Sequence, residues 1–400
     1  MANIQTNPRH IMPRRFFLKL FSVSLIGGYL SACTHKKLFN PDEDILLSGG
    51  NFSKANELQN AIIVINLTQK EKRVIETPFL AHSIQVNPSN KYSIFCFEKN
   101  GRNACEIDLQ TQRVIRSLQS EQNQLFSGHA SFSSDGKKIF CVEINNKNHQ
   151  GSISIRHTET FEVIQQLPTL GLSPHDCQLT KENIFTVSNT GKSASGFHQP
   201  SLVSIDLNTG KLLERIKLES DGTKQDDTYR ADLNCGHFVI AENKDVVIAS
   251  APINSATNTM EKNLYGGVSI RKHNESVSTM SEPAVVIKRM TGEALSIEIN
   301  QQHSIAAITH PEANLLTFWS IKDKKIVKAF AIENPRGLSQ TLDKKDFIVS
   351  YGNKPAMANI SISDLSPQAD SIVQPTHASG EHIINWSKTL REIMPKRVYD

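Results

Sequence analysis

The stretch GHASFSSDGKKIF at residues 128–140 repeats the plan of AHSIQVNPSNKYSIF at residues 81–95. In both, a histidine at the second position opens a short apolar-rich segment, a polar turn follows, and a second apolar segment comes after the turn. Apolar runs bounded by Gly, Asn, Asp and Ser are typical of β-strands joined by tight turns. The recurrence of one plan predicts an architecture built from repeats.

The same plan begins at seven places along the chain, at residues 81, 128, 174, 236, 294, 337 and 381. Leucine replaces the opening histidine in two of them, and the other five carry His82, His129, His175, His237 and His382. Further strand-like segments follow in each unit, such as GSISIRH at 151–157 and KLLERIKL at 211–218. Four antiparallel strands in each of about seven units predict an all-β fold, a seven-bladed β-propeller.

The two ends of the chain are expected to complete one blade together. The last unit offers a single strand, HIINWSK at 382–388, whereas three strands precede the first unit, at 44–50, 60–67 and 72–79. Closing the ring with strands from both termini leaves no open sheet edge between the first and last blades.

The N-terminus has the features of an export signal. Arg14 and Arg15 precede FFLK, as in twin-arginine signals, and the apolar run 16–32 is short and carries a lysine and two glycines. LSAC at 30–33 resembles a lipobox, so Cys33 is the expected lipidation site. The alternative is a plain secretory signal with a chance arginine pair and cysteine. Thr34 resembles the outer-membrane sorting signal of Gram-negative lipoproteins.

These features predict a signal peptide at 1–32, a lipidated tether at 33–43, a propeller at 44–390 and a tail at 391–400. The expected location is the periplasm, with a lipid anchor in the outer membrane. The whole chain has 44 Lys+Arg and 40 Asp+Glu. Four of the bases lie in the signal (Arg9, Arg14, Arg15 and Lys19), so the mature part is balanced, 40 against 40. Nucleic-acid binding, which favours a basic excess, is not expected.

Cys96 and Cys105 flank the turn KNGR at 99–102 symmetrically, so they could face each other across a hairpin. A disulfide fits a compartment outside the cytoplasm. A pair of buried thiols fits equally well, because free cysteine is often a core residue.

The opening histidines are expected at the top rim of the central channel, since the first strand of each blade lines that channel. Converging imidazoles could hold a transition metal, a haem iron or an anion. The candidate metal ligands are His129, His175, His237 and His382, with His82 completing the ring. The alternative is packing, as in WD40 propellers, although the repeating Trp-Asp pair of that class is absent here.

Long loops are expected on this same face, where binding residues usually lie on a rigid scaffold. They include 189–200, which begins at Asn189, and 220–236, which carries Arg230 and four aspartates. The aspartates could bind Ca²⁺ or form a solvated loop, and their spacing matches no EF-hand.

The segments GHASFSSDGKKIFCVEINNKNHQGSISIRH, LSPHDCQLTKENIFTVSN and PSLVSIDLNTGKLLERIKL resemble the domain-of-unknown-function family numbered 1513. The resemblance extends from about Ala81 to Trp386 and is most specific at the residues preceding and including four of the histidines. Glu143, Asn189 and Arg156 also fall where the family has similar residues. The family is propeller-like and exported, and its genes often neighbour imelysin-type iron-uptake lipoproteins. The resemblance therefore implies an accessory role in periplasmic iron or metal acquisition.

Three functions follow from these observations. The first is a non-catalytic, lipid-anchored propeller that binds a metal such as iron, or a partner such as an imelysin-type lipoprotein, on its top face. The second is a periplasmic oxidoreductase or hydrolase that uses a metal held by the same histidines, with Glu143 or a histidine as acid–base group. The third is a pure protein-interaction scaffold with packing histidines.

Overall fold

The computed structural model describes residues 39–180, 183–218, 232–254, 259–260 and 264–394. Seven small antiparallel sheets form a ring, which confirms the predicted all-β, seven-bladed propeller. The first strand of each sheet is innermost, and the following strands lie progressively outward. The face at which the first strands begin is called the top. The face that carries the turns between the first and second strands is called the bottom.

Blades 1 to 3 each contain four consecutive main strands. Blade 1 comprises Ala81–Val86, Ser93–Glu98, Asn103–Asp108 and Arg113–Gln119. Blade 2 comprises Gln124–Phe132, Lys138–Asn145, Gln150–His157 and Val163–Leu172. Blade 3 comprises Pro174–Leu179, Ile184–Asn189, Ser201–Asp206 and Leu212–Lys217, with the small hairpin Lys192–Ser193 and Gly196–Phe197 inserted.

Blades 4 to 6 follow the same order with local differences. Blade 4 comprises His237–Ile240, Val246–Ser250, Gly267–Arg271 and Ser278–Thr279, and beside it lie Asp232–Leu233, Pro252–Asn254 and Thr259–Met260. Blade 5 comprises Ile297–Asn300, Ile305–His310, Leu315–Ser320 and Lys325–Ala331. Blade 6 has Leu338–Gln340, Asp346–Tyr351 and Ala356–Ser361, and isolated bridges to Pro367 and Val373 take the place of a regular fourth strand.

Blade 7 is built from both ends of the chain, as predicted. Its strands are Ile383–Asn385, Ile45–Lys54, Glu57–Asn66 and Glu71–Glu76. The innermost strand pairs through Leu46↔Asn385 and Ser48↔Ile383. This pairing joins the last residues of the fold to the first and closes the ring without an exposed edge.

The predicted strand HIINWSK is shorter in the structure, because a helix begins at Trp386. The Asn385 side chain accepts a hydrogen bond from the Lys388 amide and so caps that helix. Trp386 and Leu390, four positions apart, are both buried on one face. The described residues contain the helices α1 (Ala284–Ile287) and α2 (Trp386–Ile393), with a 3₁₀ turn at Ala369–Ser371. In the described residues, no helix has the length and apolarity needed to span a bilayer.

The core lies between neighbouring blades, so the middle strands are buried on both faces. Ile94, Phe95, Cys96 and Phe97 are consecutive and all fully buried. Cys96 pairs directly with Cys105 across the sheet, and both are free thiols in the structure. Burial raises the pKa of the Cys96 thiol well above its usual value. Of the two alternatives left open by the sequence, the structure has the pair of buried thiols.

His310 in blade 5 gives the fold a sensitivity to acid. Its ring is fully buried, Nε2 lies 3.0 Å from Thr317 Oγ1, and burial lowers the pKa of His310 to about 3. Below its unfolded pKa of about 6.5, the unfolded chain binds a proton that the folded state excludes. The contribution of His310 to the free energy of unfolding is fully present above about pH 6.5. It is lost as the pH falls towards 3, by up to about 1.4 kcal/mol per pH unit.

Replacing His310 with glutamine should therefore remove part of the acid sensitivity. The unfolding free energy of the wild type minus that of His310→Gln is expected to fall by about 2–3 kcal/mol between pH 7 and pH 4.5. Urea titrations across this range measure it. His303→Gln, a substitution at an exposed position, is the matched control, and a pH-independent difference for His310→Gln would contradict the assignment.

Candidate metal centre at the channel mouth

The five histidines that begin the repeats meet at the top of the central channel. Their ring centroids lie between 4.4 and 6.2 Å apart in the measured pairs. They stand above a cavity of about 220 Å³ that the first strands line. Sequence analysis predicted this convergence from the strand order alone.

β-Bulges turn three of these histidines towards the channel. The strand register shifts between Ala81 and Ser83, between Phe126 and Ala130, and between Pro174 and Cys177. His82, His129 and His175 lie in those three intervals. In a regular strand, successive side chains point alternately to the two faces of the sheet and so into the spaces between blades. A bulge changes the direction of the side chain at that position. His129 accordingly lies inside its strand rather than at the start, where the sequence predicted it.

Gly128 is required by the close approach of two blades. A Cβ built on Gly128 would lie 2.3 Å from Cδ2 of His82, and its φ is +111°. Any other residue would displace the His82 ring and strain the backbone. The Gly-His pair of blade 2 therefore makes room for the histidine of blade 1.

Asp176 holds two of the histidines from blades on either side. Its Oδ1 lies 3.2 Å from His129 Nδ1, and its Oδ2 lies 3.5 Å from His237 Nδ1. Burial would raise the pKa of Asp176, but its interactions with His129 and His237 lower it to about 2. The ionised carboxylate can only accept, so both Nδ1 atoms carry the proton.

Glu381 holds His82 through its Nδ1 atom in the same way. Its Oε2 lies 3.1 Å from His82 Nδ1 and 2.6 Å from Lys99 Nζ, and Arg336 lies 3.6 Å from the other oxygen. Burial alone would raise the pKa of Glu381, but the hydrogen bond from His82 and the charge of Lys99 hold it well below its usual range. His82 is thus also the Nδ1–H tautomer, with a lone pair on Nε2.

The consequence is that acceptor nitrogens face each other. Nε2 of His82 and Nε2 of His129 lie 3.0 Å apart, and both carry lone pairs in the tautomers just described. Burial lowers the pKa of His82 to about 4 and that of His129 well below its usual value, so neither ring supplies a second proton near neutral pH. A cation between the two nitrogens would turn this repulsion into attraction.

His382 adds a further nitrogen without a partner. Its Nδ1 lies 3.2 Å from Ser296 Oγ, which can donate in turn to the Glu381 carbonyl, also at 3.2 Å. Its Nε2 is buried and has no hydrogen-bond partner among the residues that the structure describes. An unsatisfied buried acceptor costs about 1–3 kcal/mol, and a bound cation would remove that cost.

The ligand atoms of four histidines lie within 4.8 Å of one another: His82, His129, His237 and His382. This group differs from the predicted ligand set, which contained His175 and used His82 only to complete the ring. His175 instead places its Nε2 3.0 Å from Nε2 of His237. Burial lowers the pKa of His175 well below its usual value.

Glu143 and Asn189 are engaged elsewhere. Glu143 forms a buried ion pair with Arg156, with Oε1 and Nη2 2.7 Å apart, and the contacts found for it in the described residues include no histidine. Asn189 accepts a hydrogen bond from Thr169 Oγ1 at 2.8 Å and fixes the outer strand of blade 2 to blade 3. Glu143 is therefore held within blade 2, Asn189 joins blade 2 to blade 3, and neither contacts the histidines in the described residues. Four other predicted residues lie outside the described residues: Arg14, Arg15, Cys33 and Arg230.

The sequence analysis missed Asp176 and Glu381 as partners of the histidines. Each stands next to a histidine in the chain, in Pro174-His175-Asp176 and in Glu381-His382, and that adjacency was the available signal. Neither pairs through its carboxylate with the neighbouring ring, because adjacent side chains diverge and each carboxylate reaches a histidine of another blade.

Asp176→Asn should weaken metal binding by about 10–100-fold, the usual effect of losing a carboxylate that orients a histidine ligand. An amide cannot accept from both His129 and His237, so one ring is free to change tautomer. Titration with Zn²⁺, together with ¹⁵N NMR of the imidazole tautomers, measures the effect. Asp135→Asn, in an exposed bottom turn, is the matched control. Unchanged affinity and unchanged tautomers would contradict this role.

Comparison with known proteins finds one family whose model matches this chain and several solved structures that share its fold. The family described as Protein of unknown function (DUF1513) matches residues 75–384. A search of curated proteins finds no match. Kuenenia stuttgartiensis hydrazine synthase aligns at 12% identity and a TM-score of 0.57, covering 81% of this chain and 96% of that chain.

Two further structures share the fold at low identity. A dihydro-heme d1 dehydrogenase in complex with DHE aligns at 10% identity and a TM-score of 0.57, over 88% of this chain and 77% of that chain. A functionally unknown protein from Desulfotomaculum acetoxidans aligns at 10% identity and a TM-score of 0.52, over 84% of this chain and 98% of that chain. At these identities the likeness concerns the propeller alone.

Proposed function

The chain belongs to the family described as Protein of unknown function (DUF1513), and we propose that this member binds a divalent transition-metal ion at the mouth of its propeller channel. The ligands are the Nε2 atoms of His82, His129, His237 and His382. One observation carries the proposal: Nε2 of His82 and Nε2 of His129 face each other at 3.0 Å, and a carboxylate oxygen lies 3.1–3.2 Å from Nδ1 of each ring.

That spacing suits a shared metal ion. Two nitrogens held at about 2.0–2.1 Å from one ion lie about 2.8–3.0 Å apart at octahedral angles and about 3.3–3.4 Å apart at tetrahedral angles. The carboxylates of Asp176 and Glu381 then orient the ligands and offset the charge of the ion, as carboxylates behind metal-bound histidines commonly do.

The four imidazole nitrogens limit the metal ions that suit this site. Imidazole nitrogens suit zinc, copper, nickel and ferrous iron, whereas Mg²⁺ and Ca²⁺ prefer oxygen. Four imidazoles also fill a tetrahedral shell, whereas catalytic zinc sites usually keep one position for water or substrate. The site therefore favours binding over catalysis.

The cellular role follows from the sequence features and the family resemblance. The chain acts as an accessory binding protein in iron or metal acquisition, exported to the periplasm and anchored through a lipid on Cys33 in the outer membrane. An imelysin-type lipoprotein is the expected partner at the top face. The function is non-catalytic, and nucleic acid is not a partner.

Metal analysis of protein purified from the periplasm tests the binding proposal. We expect close to one ion per chain, and titration of chelator-treated protein with Zn²⁺, Cu²⁺ and, without oxygen, Fe²⁺ should restore it. His237→Ala should abolish stoichiometric binding, whereas His303→Ala, on the bottom face, should not. Failure of all three ions to bind the folded wild type would leave packing as the role of the histidines.

A further inference from the structure

Both ends of the described chain are fixed on the bottom face, opposite the histidines. The Phe39 ring packs edge-on against Trp386, with centroids 5.4 Å apart, and against Tyr92 at 6.4 Å. The Trp386 indole donates to the Lys91 carbonyl at 2.8 Å. Lys91 and Tyr92 follow the strand Ala81–Val86, at the end away from His82.

Polar contacts hold the same point in place. Asp44 Oδ1 accepts from the Leu342 amide at 2.8 Å and from Asn385 Nδ2 at 2.6 Å. Leu342 lies in the turn between the first and second strands of blade 6, which is also on the bottom face. Arg391 of helix α2 pairs with Asp42 at 3.2 Å. The chain therefore enters the propeller at a defined place on this face.

The expected lipidation site is close to that place along the chain. Phe39 follows Cys33 by six positions, so even a fully extended chain puts the two at most about 22 Å apart. A six-residue first strand such as Ala81–Val86 is itself about 20 Å long. A tether of this length could extend along the height of the propeller. It is too short to pass from the bottom face around the rim to the top face as well.

We propose that the membrane-anchored protein stands with its bottom face against the bilayer and its histidine-lined mouth facing away from it. This orientation rests on acylation of Cys33 and does not depend on the metal. The surface around Lys99, Arg336 and Glu381, which borders the mouth, is then presented to the aqueous compartment. A metal ion or a protein partner reaches the site from the side opposite the membrane.

Blade 2 offers a matched pair of probe positions for the test. Lys137 and Lys147 are exposed and flank the strand Lys138–Asn145, at its bottom and top ends. Lys137→Cys and Lys147→Cys are each labelled with a thiol-reactive fluorophore in the full acylated chain. The chain is bound to phosphatidylethanolamine–phosphatidylglycerol vesicles that carry a nitroxide headgroup quencher. The unsubstituted chain reports background labelling of the native cysteines, of which the five that the structure describes are buried or partly buried.

The label at position 137 should be quenched several-fold more strongly than the label at 147. Cys33→Ser in either background should abolish vesicle binding and quenching. Equal quenching, or stronger quenching at 147, would overturn the orientation, and so would a wild-type chain that is not acylated. Metal binding by the same samples is measured separately, so failure of the orientation and failure of the metal site are distinguishable.

Discussion

His382→Leu should stabilise the chelator-treated protein by about 1–2 kcal/mol while lowering its affinity for metal by more than 100-fold. The gain arises because Nε2 of His382 is buried and has no hydrogen-bond partner in the described part of the chain, and leucine removes this polar atom at similar volume. The affinity falls because one of four ligands is lost, a larger change than losing a residue that only orients a ligand, which costs about 10–100-fold.

Thermal or urea unfolding with and without metal shows both effects at once. Metal at 1,000 times its dissociation constant should stabilise the wild type by about 4 kcal/mol and the variant hardly at all. His303→Leu is the control, because that histidine is exposed on the bottom face. If His382→Leu instead destabilised the protein by several kcal/mol and left metal affinity intact, the histidines would be packing residues and the proposed function would fail.

Breaking the Glu143–Arg156 ion pair should cost about 3–5 kcal/mol of stability without affecting the metal site. The two side chains are 0% and 2% exposed, and the Arg156 guanidinium also lies over the Phe161 ring at 4.8 Å. Glu143→Ala leaves a buried guanidinium without its counter-charge. Burial raises the pKa of Glu143, although Arg156 acts in the opposite direction.

Replacing both partners should be far milder than replacing one. The pair Glu143→Leu with Arg156→Met fills the space with apolar groups and should be close to neutral or stabilising, because neither charge then remains desolvated. Urea unfolding of the single and double variants measures the coupling, and Zn²⁺ titration is the second readout. A loss of metal affinity in the folded double variant would return Glu143 to the functional site.

The repeat predicted more about the site than the individual residues did. The spacing of the repeats predicted the number of blades. The single strand at the C-terminus and the three strands at the N-terminus predicted that both ends of the chain form blade 7. Strand direction then put the histidines at one end of the channel. These steps depend on local turn chemistry and periodicity, which a single sequence displays directly.

The partners of the histidines could not be read in the same way. Asp176 follows His175 in the chain but binds His129 and His237, and Glu381 precedes His382 but binds His82. Glu143 was a reasonable acid–base candidate by position, yet its carboxylate belongs to a blade core. Contacts of this kind form across blades, between residues far apart in the sequence.

By itself the amino-acid sequence determined the propeller, its closure from both termini and the meeting of the five histidines, because each follows from a pattern repeated along the chain. Only the tertiary structure decided that His82, rather than His175, lies with His129, His237 and His382 in the group whose side-chain nitrogens are within 4.8 Å of one another. The reason is that bulges and the curvature of the ring set the direction of each imidazole, and these depend on how neighbouring blades pack.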